Sequence, residues 1–277
     1  MKKNLAFIAA AAIAAAMTAC SGGSQQVNGT AAETEPALHD YTYVTTTGIE
    51  YSGTYTGGWE NNMPNGEGSF ESSSGNVTIT GSWSNGQPNG QCRWVGKYDT
   101  YVCTYSGNMF FGVHQGNGDF KIADLNGNIA YVYYGEWSDD CYNGSGEETT
   151  YYTAEEAAES GCSKAVYKGG FSRGSWNGEG EYTVYFTAES AEQGGADYVV
   201  YTGQAKDGSF VEPYRYAYYK NNQIAEEGRV RDGQFVSDTE KAIGDFAYDI
   251  LDDAVGDGFW GGVFDIIAPE IYDRNAE

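Results

Sequence analysis

"GGWENNMPNGEGSF" (57–70) is rich in Gly and Asn, with one bulky ring near its start and another at its end. Its NGEG core suits a phosphate cradle, a metal loop or a turn. A phosphate loop needs a following helix whose N-terminus faces the anion, with Lys or Arg close by. Here a ring-bearing stretch follows and acids flank it. The glycines therefore read as strand residues lying under a ring.

The stretch recurs along the chain. "YTGGWENNMPNGEGSF" (55–70) aligns with "ITGSWSNGQPNGQCRW" (79–94), "YSGNMFFGVHQGNGDF" (105–120), "YYGEWSDDCYNGSGEE" (133–148) and "YKGGFSRGSWNGEGEY" (167–182). A worn sixth copy is "YTGQAKDGSFVEPYRY" (201–216), and "EEGRVRDGQF" (226–235) is half of a seventh. In the first five copies Gly57, Gly81, Gly107, Gly135 and Gly169 are each followed nine residues later by a second glycine: Gly66, Gly90, Gly116, Gly144 and Gly178. Gly68, Gly118, Gly146 and Gly180 add a third.

Each copy reads as an antiparallel hairpin. In the first, Tyr55 is placed opposite Phe70, Gly57 opposite Gly68 and Trp59 opposite Gly66, all on one face because strands alternate sides with period two. Trp59 then covers the bare backbone of Gly66, as Trp83 does Gly90, Met109 Gly116, Trp137 Gly144 and Phe171 Gly178. Six turn residues such as "ENNMPN" are expected between the strands. Abundant Tyr (24) and Gly (39) with little Leu agree with strands and tight turns rather than helices.

The pattern YxGxWxNxxPxGxG resembles the MORN repeat, and the resemblance covers about residues 51 to 236. It implies an all-β fold, an elongated single-layer antiparallel sheet of consecutive hairpins. Such sheets serve protein contacts, assembly and, in some proposals, phospholipid binding. The last use fits this acidic chain badly, since the basic side chains of lipid-binding members are missing.

The N-terminus reads as a secretory signal. Lys2 and Lys3 precede an apolar run from Leu5 to Met17, and "MTAC" ends at Cys20. The junction resembles a bacterial lipobox, which implies cleavage before Cys20 and a diacylglycerol on its sulfur. The expected organisation is a signal peptide over 1–19, the lipidated Cys and a flexible linker over 20–41, the hairpin array over 42–236, and a C-terminal segment over 237–277. With Lys2 and Lys3 removed, 13 basic against 39 acidic side chains leave −26. Such a charge repels nucleic acid and anionic headgroups, so the lipid on Cys20 is the expected hold on the membrane.

Two Ala/Glu-rich inserts, 153–165 and 187–197, each begin Thr-Ala and read as short helical turns capped by Thr. From Ser237 the texture changes. "SDTE" is a capping box. Ile243, Phe246, Ala247, Ile250, Leu251, Ala254 and Val255 then follow helical spacing, with Asp245, Asp249, Asp252 and Asp253 off the stripe. This tail is expected to fold back as a helical cap on the open end of the sheet, as repeat arrays require, or to dock on a partner.

Cys92 and Cys103 are placed opposite each other about the "GKYD" turn (96–99), Trp94 then facing Tyr101, which makes the two thiols a candidate disulfide; Cys141 and Cys162 remain as a second pair. His39 lies in the spacer and His114 in a turn, both expected in solvent, so no metal site or His-based triad is read. Glu67, Glu147 and Glu179 sit between glycines on the face opposite the rings, where solvation is their expected fate. "DLNGN" (124–128) reads as a turn rather than half a calcium loop. No cofactor is implied. The expectation is a non-catalytic, lipid-anchored scaffold on a bacterial cell membrane or outer membrane, facing away from the cytoplasm and holding a protein partner. A cell-envelope glycan held by exposed aromatic rings is the rival. An open aromatic trough would favour glycan; buried rings would favour the scaffold.

Cys20→Ser is expected to abolish incorporation of labelled fatty acid and to strand or release the precursor; a variant that matures and fractionates like the native protein would remove the lipoprotein expectation.

Overall fold

A computed structural model describes residues 37–238, and the structural statements below concern these residues. Strand β1 (Leu38–Val44) opens the sheet. Copy one supplies β2 (Glu50–Glu60) and β3 (Met63–Ser72), and copy two supplies β4 (Val77–Ser84) and β5 (Gln87–Lys97). Copy three forms β6 (Tyr101–Phe110) and β7 (Val113–Asp124), and copy four forms β8 (Ile129–Ser138) and β9 (Cys141–Tyr151). Copy five forms β10 (Cys162–Ser172) and β11 (Ser175–Phe186). Copy six gives β12 (Tyr198–Lys206), the short β13 (Ser209–Phe210) and β14 (Tyr214–Lys220). The half copy is β15 (Gln223–Arg231) and β16 (Gln234–Ser237). All 16 strands belong to one open antiparallel sheet in chain order, β13 standing off the path beside β12. The expected all-β array of consecutive hairpins is what forms.

The sheet starts earlier than expected. Leu38–Val44 pairs with residues 50–56, so four residues assigned to the linker are strand. His39, Tyr41 and Tyr43 alternate onto the ring side there. Ser237, expected at a helix cap, ends β16 opposite Gly228. The signal peptide, Cys20 and the rest of the tail lie outside the described residues.

Both inserts are helical as expected. Helix α1 (Ala154–Ser160) has Thr153 at its N-cap in a full capping box with Glu156, and α2 (Ala188–Gly194) is capped by Thr187.

The outer half of each hairpin has the expected register: Tyr55 faces Phe70, Gly57 faces Gly68 and Tyr167 faces Tyr182. The inner half does not. A bulge follows the first glycine, and beyond it Trp59 faces Pro64, Trp83 faces Pro88, Met109 faces His114, Trp137 faces Tyr142 and Phe171 faces Trp176. The six-residue turn is therefore a correction. The strands run on to two-residue turns such as Asn61-Asn62 (φ 53° and 63°) and Asn85-Gly86 (φ 50° and 84°). Positive φ at both central positions matches the twist of the flanking strands. Pro64 and Pro88 resemble turn residues in sequence because each stands just after a turn, yet both lie on strands. Here the second turn residue of the next copy donates its N–H to the proline carbonyl: Gly86 to Pro64 and Gly112 to Pro88, both at 2.9 Å. The same bond joins Gly174 to Tyr142 (2.9 Å) and Gly208 to Trp176 (3.1 Å).

The second glycines consequently serve the neighbouring copy. Gly66 pairs with Trp83, Gly90 with Met109, Gly116 with Trp137, Gly144 with Phe171 and Gly178 with Ala205. No ring of the same hairpin covers them, which corrects the proposed cover of Gly66 by Trp59.

The glycines under rings are the first and third. They form one row across eleven strands: Gly57, Gly68, Gly81, Cys92, Gly107, Gly118, Gly135, Gly146, Gly169, Gly180, Gly203. Tyr55, Tyr105, Tyr133 and Tyr167 lie flat over their own glycine pair, where any Cβ would enter the ring or hydroxyl. In copies three to five the ring crosses the bare backbone to reach the bulge, whereas Tyr55 Oη donates to the Glu67 carbonyl on the partner strand at 3.5 Å. Tyr105 Oη donates to the Asn108 carbonyl (2.6 Å), Tyr133 to that of Glu136 (2.8 Å) and Tyr167 to that of Gly170 (3.1 Å). The bulge breaks the ladder at these residues, and the hydroxyl satisfies the carbonyl so exposed. Copy two has Ile79 in place of the tyrosine. No ring covers its glycine row, and Cys92 fills the space, its Sγ 3.3 Å from the Ser82 carbonyl.

Gly118→Ala should destabilise the protein by about 1–3 kcal/mol through overpacking against Tyr105. Gly208→Ala, where φ is 88° and nothing lies within 4 Å of an added Cβ, should cost only the left-handed strain of about 1–2 kcal/mol. Urea melts of Tyr105→Ala in each background separate the two: it should offset most of the first loss and none of the second.

Candidate interaction surface

The ring side is consumed by packing. Tyr55, Phe70, Ile79, Tyr105 and Tyr133 are fully buried there, each covered by neighbouring rings. At the positions facing the bulge rings, copies three to five carry rings that stack on the repeat tyrosine: His114 on Tyr105 (3.9 Å between centroids), Tyr142 on Tyr133 (3.8 Å) and Trp176 on Tyr167 (4.0 Å). No open aromatic trough exists on this side among the described residues.

Both histidines depart from expectation. His39 stacks on Trp59 at 3.8 Å with the planes 3° apart. His114 is on β7, not in a turn; its Nδ1 lies 3.1 Å from Asp140 Oδ1, and its backbone N–H donates to the same oxygen (2.7 Å). The pair ties copy three to the turn of copy four. The aromatic character of imidazole fits the ring stack, a use that motif searching for ligands does not see. Among the described residues no group of three or more His, Cys, Asp or Glu is placed to hold a metal ion.

The disulfide expectation is corrected. Cys92 faces Gly107, Cys103 faces Gly96, and Trp94 faces Tyr105. All four thiols are free. The turn falls at residues 98–101, closed by the Tyr98 N–H on the Tyr101 carbonyl (2.9 Å). Continuity of the ring and glycine rows sets this register, and the turn propensity of GKYD does not. Burial pushes the Cys92 thiol up to about 11 and that of Cys103 up to about 12, which makes both poor nucleophiles.

The carboxylates divide as expected, with one exception that the alignment held in view. Glu67 and Glu179 are exposed on the outer side, accepting from Ser82 Oγ and Gln204 Nε2, both at 2.6 Å. Asp124 accepts from the backbone of Asn126 and Asn128 and from the Asn128 side chain, closing the DLNGN turn; these bonds, the Asn128 side chain first, hold its carboxyl below the usual range. Glu148 was missed. It ends copy four, where the other copies carry Phe70, Trp94, Phe120 or Tyr182, and it faces Tyr133 on the ring side. It is buried and accepts from Tyr131 Oη (2.5 Å) and Trp176 Nε1 (2.6 Å). Desolvation raises its carboxyl above the usual range, opposed by the two hydrogen bonds.

The outer side offers what the ring side does not. Of the 11 Lys and Arg among the described residues, Arg173 sits in a turn and Lys220 bonds Asp197 and the Ala191 carbonyl, both at 2.9 Å. The other nine alternate opposite the ring rows, on the outer face. Six of them, Lys164, Lys168, Lys206, Arg215, Arg229 and Arg231, stand on β10 to β15 against three outward carboxylates, Glu179, Glu181 and Glu227. Between them run a β-branched row, Val132, Thr149, Val166, Thr183 and Val200, and a tyrosine row, Tyr185, Tyr198 and Tyr219, with centroids 5.4 and 4.8 Å apart. Lys164 Nζ lies 4.5 Å from the Tyr185 ring centroid.

These features define a single-sheet array of β-hairpin repeats, with its rings turned in and its cations turned out. The MORN repeat model matches the chain at residues 55–77, 80–97, 133–150 and 167–183, which fall at copies one, two, four and five. Copy three, with Met109 for the tryptophan, folds into the same hairpin without matching. Among curated proteins none matches the chain, and no catalytic family is found.

Because the folded state holds the Glu148 proton more tightly than the unfolded chain, its contribution to stability is full below the ordinary carboxylate range and falls as pH rises through the raised value. The difference in stability between wild type and Glu148→Gln, from denaturant melts, should therefore shift against the wild type over that window, and be flat above it.

Proposed function

We propose that this chain is a non-catalytic, lipid-anchored interaction scaffold of the bacterial envelope, displayed on its membrane through the lipid on Cys20 and binding a protein partner with the outer face of its MORN-repeat sheet. The observation that carries this reading is the partition of side chains between the two faces. The repeat rings that would form an aromatic trough for a glycan are spent inside, and the outward row Tyr185, Tyr198 and Tyr219 stacks on itself. The outer face gathers nine cations of a chain whose formal charge is −24, with its tyrosine and β-branched rows between them. Interfaces favour Tyr and Arg and disfavour bulk negative charge at their centres, and a hydrogen-bonded sheet face holds such groups with little entropy to lose on binding.

Mature protein immobilised on beads, incubated with solubilised envelope extract and in parallel with cell-wall polysaccharide, should retain protein from the first and nothing from the second. Lys164→Glu with Lys168→Glu, exposed changes that leave the ring side intact, should lower that retention at least tenfold with little change in melting temperature. Equal retention by the variant would remove the outer face as the binding surface, and retention of polysaccharide alone would transfer the function to glycan binding.

A further inference from the structure

Tyrosine rings stack on one another on both faces of the sheet. On the ring side Tyr133 with Tyr142 and Tyr182 with Tyr201 are buried, out of reach of any oxidant in water. On the outer face Tyr198 and Tyr219 stand half-buried, directly paired across β12 and β14. Their centroids are 4.8 Å apart and their planes 12° apart. Carbon atoms in contact lie about 3.5–4.0 Å apart, so these rings touch face to face with a sideways offset of about 3 Å. The ladder holds them there, because directly opposed Cβ atoms are only about 4.5–5.5 Å apart. Tyr185, opposite Tyr198 on β11, extends the row at 5.4 Å. Tyr98 and Tyr101 form another stack (4.5 Å, 19°), but a link there would only repeat the turn that the Tyr98 N–H already closes. Tyr198 and Tyr219 stand instead where the sheet is held by few bonds. Strands β12 and β14 share five residue pairs, from Tyr198 with Tyr219 to Thr202 with Arg215, and β13 adds two. The hairpin strands of copies three and five share nine.

We propose that Tyr198 and Tyr219 form an oxidation site, at which a peroxide-driven one-electron oxidant couples the two phenols into a dityrosine that fastens β12 to β14. The oxidant takes one electron from each ring, and each hydroxyl proton leaves for water. Burial first, then Tyr219, Tyr185 and Asp197 nearby, holds the Tyr198 phenol above its usual value, so the group is protonated at neutral pH and gives up its proton together with its electron. The two phenoxyl radicals join through one ring carbon beside each oxygen, forming a single C–C bond. The hydrogen on each joined carbon then passes to the ring's own oxygen through water, which restores both phenols. The protein loses two electrons and two protons in all, and one hydrogen peroxide takes them up to become two waters. Stacking is what makes the pair selective, since a tyrosyl radical without a ring beside it must wait for a second chain. The link would close residues 198 to 219 into a loop and remove chain entropy from the unfolded state. This site does not depend on what the outer face binds.

Mature protein treated with limiting hydrogen peroxide and a haem peroxidase tests the site. Peptide mapping by mass should find the Tyr198 and Tyr219 peptides joined and lighter by two hydrogens, within one chain and at a yield independent of protein concentration. Tyr134 is the control, because it is 41 % exposed and lies under Lys121; links through it should be at least tenfold rarer. Tyr198→Phe keeps the stacked ring but has no phenol to oxidise, and it should remove most of the dityrosine fluorescence, whereas Tyr134→Phe should leave it. Absence of the Tyr198–Tyr219 link, an equal yield through Tyr134, or links that join two chains and grow with concentration would each overturn the site. Hydrogen exchange tests the fastening separately. Linking should slow exchange in β12 and β14 about tenfold and leave β2 to β5 unchanged; equal exchange before and after linking would overturn that role.

Discussion

Copies three to five, at the middle of the sheet, depend on one repeated hydrogen bond, from a tyrosine hydroxyl to the carbonyl that a bulge has freed. The bond requires the ring to lie flat over its own strand pair. It therefore forbids a Cβ at two positions of the hairpin, and glycine stands at both. The bulge shifts the inner half of the hairpin by two residues, which turns the next ring away from its own hairpin's glycine and toward the preceding copy's. Each copy is thus completed by its neighbour, and the array is held together by pairings that no single hairpin possesses. A satisfied buried hydrogen bond contributes only about 1 kcal/mol net. Left unmade, the bulge carbonyl would cost about 1–3 kcal/mol in each of copies three to five, where the tyrosine stands with its glycines.

Where a copy departs from the motif, its departures compensate. Ile79 removes the ring over the glycine row, and Cys92 occupies the row at that strand. Copies three to five lack the proline after the turn, and His114, Tyr142 or Trp176 takes its place as a ring stacked on the repeat tyrosine. Glu148 replaces the closing ring of copy four, and Trp176 of the next copy donates to it, so a position vacated by packing in one repeat is filled by hydrogen bonding from another. A repeat array transmits such changes only to its nearest neighbour, and each compensation found here lies within one copy of its cause.

The outer register was legible because ring-on-ring and glycine-on-glycine pairing has one solution. Tyr55 with Phe70 and Gly57 with Gly68 could be placed from spacing alone. The bulge was not legible, because a bulge is a local exchange of ladder bonds for a side-chain bond, and neither NMP in copy one nor QPN in copy two advertises it. Reading Pro64 as turn rather than strand followed from the usual scarcity of proline in central strands. Here the missing N–H costs nothing, since only the carbonyl of that residue is used. The Cys92–Cys103 pairing failed for a related reason: local turn propensity was allowed to outrank the rows that run through the whole sheet. Glu148 could have been found, since the alignment already put it opposite Tyr133.

The two faces then follow from the same chemistry. The ring and glycine rows fix which side of the strands is apolar, and period-two alternation assigns the remaining side chains to the other. Acids stand in turns and inserts, as Asp124, Glu155 and Glu156 do, and share the outer face at Glu67, Glu179, Glu181 and Glu227. Cations with long stems lie along the sheet, covering β-branched and aromatic neighbours while their heads stay wet, as Lys164 does over Tyr185 and Lys121 over Tyr134. The outer face is therefore less acidic than the rest of the chain without any design for a particular ligand, and at an ionic strength where the Debye length is about 8 Å a partner meets that local balance rather than the charge of the whole molecule. Outward residues can change while the hairpins stay intact, because none of them takes part in the bond that holds copies three to five.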